Sequence, residues 1–189
     1  LEIDGTFTQA AGNRHVFSVG SSSNSVGNVV VNNGGVLNIG NGGAAVYIGG
    51  RYNNSGAAGT GIMTINTGGL VKVGGPGDVV ANWDATSIWF NPWGGRDTDS
   101  AINLDGGTLE TARRIHSGDG SKASNVNFDG GMLKADANNM DLVVGGRNIQ
   151  LNLGAAHGYI DTQSNNASVR EVIRGSGDLI KQGSGMLDL

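Results

Sequence analysis

The residues best suited to hold a ligand lie between Asn82 and Asp99. All three tryptophans of the chain, Trp83, Trp89 and Trp93, fall there, beside Phe90, Asp84, Arg96 and Asp97. Aromatic faces stack on sugar rings, and neighbouring carboxylate and guanidinium groups bond hydroxyls. Trp83, Asp84, Trp89, Phe90, Trp93, Arg96 and Asp97 are therefore the candidate binding residues, for a host or environmental glycan or a surface protein. The competing expectation is an inserted loop at about 76–100 that folds its aromatics down as a cap over its own coil.

Signals for catalysis and metals are weaker. Asp97 and Asp99 form the one close acidic pair outside the glycine turns, but adjacent alternating positions on one face rarely make a complete acid/base pair. Asp78 follows Gly74-Gly75-Pro76-Gly77 one residue too early for the Gly-Gly-x-Gly-x-Asp spacing of calcium-binding turns, and the pattern occurs once. His15, His116 and His157 have no metal-site spacing and are expected to be solvated coil residues; cysteine is absent. Gly175-Ser176-Gly177 begins like a dinucleotide fingerprint, but Ile180 stands where the third glycine is needed. No catalytic residue, metal ligand or cofactor is assigned.

Composition restricts what could position these groups. The chain has 189 residues, 35 of them glycine and 2 proline, with 15% charged residues. Collagen is excluded by the missing G-x-y period, and long helices are disfavoured because interior glycine costs about 1 kcal/mol per position. The aliphatic residues recur in alternating clusters, against disorder. A net charge of −4 offers no footprint for nucleic acid or anionic membrane. No apolar run approaches the roughly 20 residues of a spanning helix, so neither a nucleic-acid partner nor membrane insertion by this segment is expected.

Four segments, 29–39, 63–73, 102–111 and 126–135, share the order strand, Gly-Gly corner, strand. After the corner, Leu37, Val71, Leu109 and Leu133 occupy one register, with Ile39, Val73, Thr111 and Ala135 two residues on; these are expected to point inward. Asn38, Lys72, Glu110 and Lys134 fall between them and are expected to face solvent. Before the corner, two polar residues precede Gly-Gly in the first pair of segments and a single Asp (Asp105, Asp129) in the second, each read as a turn residue. Such a unit cannot bury its apolar face alone and must stack on a neighbour. The predicted fold is all-β: a right-handed parallel β-helix, or β-solenoid, of roughly eight coils of about 20 to 24 residues each. An antiparallel sandwich is the rival. In the solenoid, Glu110 and Lys134 stack on adjacent coils as an exposed pair contributing about 0.2–1 kcal/mol.

Residues 175–189 match the pattern G-x-G-x-L-x-K-x-G-x-G-x-L-x-L through Gly175, Gly177, Leu179, Lys181, Gly183, Gly185, Leu187 and Leu189. This resembles the autotransporter-associated β-strand repeat (the passenger-associated transport repeat). Segments 47–50, 59–69, 103–109 and 127–135 are similar to parts of large autotransporter-like proteins, so that the likeness covers about 45–189. The resemblance implies a β-helical passenger exported to the surface of a Gram-negative bacterium; it implies no ligand or reaction. The expectation is one solenoid module over residues 1–189, a piece of a longer chain, non-catalytic and acting as stalk or adhesin. End-to-end stacking of copies into a filament is a variant, since open sheet edges invite pairing. A carbohydrate-binding or carbohydrate-active β-helix (a polysaccharide lyase or hydrolase) is the alternative.

Overall fold

The structure is a computed structural model that describes residues 1–9, 16–22, 24–40, 45–50, 59–75, 87–92, 99–118, 124–138, 140–144 and 148–189. Every regular element among the described residues is a β-strand. Three parallel sheets of seven strands run along one axis, and the chain visits them in strict rotation. It is a right-handed parallel β-helix of seven coils.

Each coil contributes one strand to each sheet. The first has Glu2–Ile3, Thr6–Gln9 and Val16–Val19; the second Val26–Val31, Val36–Ile39 and Ala45–Ile48; the third Thr60–Asn66, Leu70–Val73 and Ile88–Phe90. The fourth has Ala101–Asp105, Thr108–Thr111 and Ile115–Ser117; the fifth Ser124–Phe128, Met132–Ala135 and Met140–Val143. The sixth has Ile149–Leu153, Gly158–Asp161 and Ala167–Val169; the seventh Val172–Gly175, Leu179–Gln182 and Leu187–Asp188. Seven coils form instead of roughly eight because the early coils are long. The step is 39 residues from Thr64 to Asn103, against 24 from Asn103 to Asn127. At about 4.8 Å per rung the stack is roughly 30 Å high.

The predicted inward rows are inward. Leu37, Val71, Leu109 and Leu133 pair strand to strand and are at most 1% exposed, as are Ile39, Val73, Thr111 and Ala135. The corner between the first and second sheets shows why glycine comes in pairs. The first of each pair, Gly34, Gly68, Gly106 or Gly130, has φ of +76° to +79°, a left-handed conformation that side chains resist. The second lies on the coil beneath: a Cβ on Gly107 would stand 2.6 Å from the Ile65 carbonyl oxygen. Two separate constraints thus meet in one dipeptide. Of the two aspartates expected in the turn, Asp129 lies in the bend before Gly130, whereas Asp105 is the last residue of its strand, paired with Asn66 just before Gly106. Burial and the charge of Asp129 push the Asp105 carboxyl above its ordinary range.

Outward positions form their own ladders. On the first sheet, Asn103 donates to Thr64 at 3.2 Å, Asn127 to Asn103 at 2.8 Å and Asn152 to Asn127 at 2.8 Å. On the second sheet, Lys134 Nζ lies 2.9 Å from Glu110 Oε2, as the shared register required, and Lys72 Nζ lies 3.2 Å from Glu110 Oε1. The corner alignment carries all three groups in one register, but the pair expected from the sequence joins only Glu110 and Lys134. Two ammonium groups shelter the Glu110 side chain, which is 14% exposed. Burial alone would raise its carboxyl pKa, but Lys134 and Lys72 outweigh that and hold it below the ordinary 4.5. A carboxyl depressed by folding stabilises the fold above its unfolded pKa and loses that contribution as pH falls through the folded value. Glu110→Gln is accordingly expected to lower stability by about 1 kcal/mol at pH 7. The difference from wild type should close as pH drops below 4.5, which urea midpoints at pH 7 and pH 3 would show.

Candidate functional site

Only part of the predicted binding cluster falls in described residues. Trp83, Asp84, Trp93, Arg96 and Asp97 lie outside them, as do Asp78 and His15. Trp89 and Phe90 are described. Instead of lying in a loop, they belong to a regular strand of the third sheet, Ile88–Phe90, within the 76–100 segment expected to be an insertion. Phe90 points into the core and is fully buried. Trp89 points outward yet is only 6% exposed. The edge-on ring of Tyr47 stands 5.9 Å from it, and His116 stacks on it at 4.7 Å and 27°.

The register of the third sheet produces this column, because Tyr47 pairs with Trp89 and Trp89 with His116 on successive coils. His116, expected to be solvated, is 5% exposed. Trp89 thus packs between the ring of Tyr47 and the stacked imidazole of His116. His157 differs again: half-exposed and in the left-handed region at φ +66°, it accepts the Asp178 backbone N–H on Nδ1 at 3.0 Å. Among the described residues, no group of three or more His, Cys, Asp or Glu side chains could hold a metal ion.

A buried polar seam lines the corner from the third sheet to the first. Asn91, at φ +46°, stands near the hydroxyls of Ser100 (3.3 Å) and Ser124 (3.4 Å), and Ser117 and Ser124 share a 3.0 Å bond. All four side chains are buried. In the coil below, glycines stand at this corner: a Cβ on Gly49 would overlap the Ser100 hydroxyl. The seam is therefore a structural device of the corner.

The carboxy-terminal motif occupies the seventh coil from Gly175 onward. Cβ atoms on Gly175 and Gly177 would overlap the carbonyl oxygens of Leu153 and Gly154; on Gly183 and Gly185 they would meet the backbones of Gln163 and Asn165. Leu179 and Leu187 pack against the core. Lys181 pairs with Ile160 of the coil beneath and donates to the Gly183 carbonyl. Spacing of the motif is thus the spacing of corners in a coil pressed onto its neighbour.

What sequence reasoning missed lies on the outer face of the third sheet in coils five to seven. Asp141, Ser168 and Asp188 pair in register there, and together with Arg170 they line an open groove of about 200 Å³. Gly145-Gly146 follow the first of these strands but no Gly-Gly pair stands beside the other two, so the sequence shows no shared register for residues 141, 168 and 188.

By fold, then, the chain belongs to the parallel β-helices. No family model matches it, and neither a curated protein nor a solved structure does.

Proposed function

We propose that this chain is a non-catalytic structural and adhesive segment of an exported protein, carried on the surface of a Gram-negative bacterium in the manner of an autotransporter passenger. The observation that carries the reading is the fit between the carboxy-terminal motif and the last coil. Four glycines, Gly175, Gly177, Gly183 and Gly185, occupy the places where the coil beneath leaves no room for a side chain. A resemblance in sequence therefore coincides with a physical need of the solenoid. A stack of in-register sheets with an aliphatic interior also suits a rigid spacer, since each coil is stabilised by its neighbours alone.

The filament variant draws support from the terminal coils. Leu1, Phe7 and Val16 at one end, and Val172 and Leu189 at the other, are apolar and exposed. A further coil, from the same chain or a second copy, would cover them.

Antibodies raised against the 189-residue chain should label intact cells of the producing bacterium. Labelling that appears only after the cells are permeabilised would overturn the proposal.

A further inference from the structure

The outer face of the third sheet changes character along the axis. Its outward residues in coils two to four are Tyr47, Trp89 and His116, all buried. In coils five to seven they are Asp141, Ser168 and Asp188, beside the open groove.

The polar groups of the groove are held in place and only partly used. Ser168, itself 7% exposed, donates from Oγ to Asp141 Oδ1 at 2.7 Å. Arg170 Nη2 lies 2.9 Å from Asp188 Oδ2. Asn166 Oδ1 accepts the Met186 backbone N–H at 3.0 Å. These bonds take one oxygen of each carboxylate, one nitrogen of the guanidinium and the carbonyl side of the amide. A second oxygen on Asp141 and on Asp188, the remaining Arg170 N–H groups and the Asn166 amide N–H are left. Met186, 63% exposed, adds an apolar wall.

This combination selects a ligand class by elimination. An anion would face two carboxylates around one guanidinium. A bare cation would compete with donors already seated on both carboxylates, and among the described residues no third acidic ligand joins them. An apolar ligand would strand the charged lining unsolvated. A neutral polyol meets every condition: each hydroxyl both donates and accepts, serving free carboxylate oxygens and free N–H groups together, while its C–H face rests on Met186. The volume of about 200 Å³ is below that of drug-sized pockets, roughly 300–1,000 Å³, and suits one ring.

We propose that the groove bounded by Asp141, Asn166, Ser168, Arg170, Met186 and Asp188 binds a single neutral sugar unit. This deepens the adhesive half of the function proposed above, and it is tested separately from the surface location.

Amide spectra of the ¹⁵N-labelled 189-residue chain should be recorded while glucose, galactose, mannose or N-acetylglucosamine is added. With at least one of them, the amides of Ser168, Arg170 and Met186 should shift saturably, with a dissociation constant on the order of 1–10 mM. Asp141→Ala should weaken that binding at least tenfold, and Arg170→Lys, which keeps the charge and bulk, should weaken it severalfold. Lys72→Ala, on another sheet, should leave it unchanged. Absence of groove shifts with all four sugars would overturn the proposal. So would the same shifts appearing with calcium chloride, sodium acetate or methylammonium chloride instead. Cell labelling is unaffected by either result, so a groove without sugar affinity leaves the stalk reading standing.

Discussion

Phe128→Ala is expected to lower the unfolding free energy by about 3–5 kcal/mol. Phe128 is 1% exposed and sits in the fifth coil, paired with Leu104 below and Leu153 above. Its ring fills space left by Gly158 of the sixth coil, where a Cβ would stand 2.8 Å from the Phe128 Cβ and 2.9 Å from its Cγ. Removing the ring opens a cavity that a backbone fixed by two hydrogen-bonded ladders cannot close. Because each coil is supported only by its neighbours, a weakened fifth coil loosens the stack on both sides. Phe7→Ala is the comparison, since Phe7 lies in the first coil and is 43% exposed; it should cost about 1 kcal/mol. Urea midpoints of the two variants would measure the contrast, and equal losses would mean that the coils are not energetically stacked as described.

The second large effect is expected from a single added carbon. Gly131→Ala places a Cβ 2.5 Å from the Leu104 Cβ and 2.6 Å from its carbonyl carbon. Neither atom can swing aside, because Leu104 is held between strands of the third and fifth coils. The coils must part locally, at a cost of about 3 kcal/mol, near the upper end for overpacking. Gly5→Ala is the matched control: a Cβ there meets nothing within 4 Å and the backbone is not left-handed. That change should be neutral or stabilise by up to about 1 kcal/mol through the unfolded chain. Thermal melts of both variants decide it, and a Gly131→Ala protein as stable as wild type would refute the close approach of coils at this corner.

Two of the three sheets are legible in the residues alone. The Gly-Gly corner fixes where one strand ends and the next begins, and inward Leu109 and Leu133 alternate with outward Glu110 and Lys134 on a half-buried sheet. That alternation places Glu110 against Lys134 correctly. It does not bring in Lys72 as a second ammonium, although the same register carries it. The third sheet is opaque. Its strands run to two to four residues, only one of them, Ala45–Ile48, follows closely on a glycine pair (Gly42-Gly43), and around Tyr47 and Trp89 both faces are buried, which erases the period-2 pattern. An isolated run of aromatics then looks like a binding surface, whereas Trp89 packs between Tyr47 and His116.

By itself the sequence determined the coil: where the chain must turn, which side chains face the axis, and that each turn needs a neighbour. These follow from the intrinsic freedom of glycine and from strand periodicity, both local properties. Only the tertiary structure decided what the outer surface presents. The number of residues between corners varies from coil to coil, from 39 between Thr64 and Asn103 to 20 between Asn166 and Met186, so outward residues far apart in sequence fall side by side. The meeting of Asp141, Ser168 and Asp188 depends on that accumulated register, and no local signal encodes it.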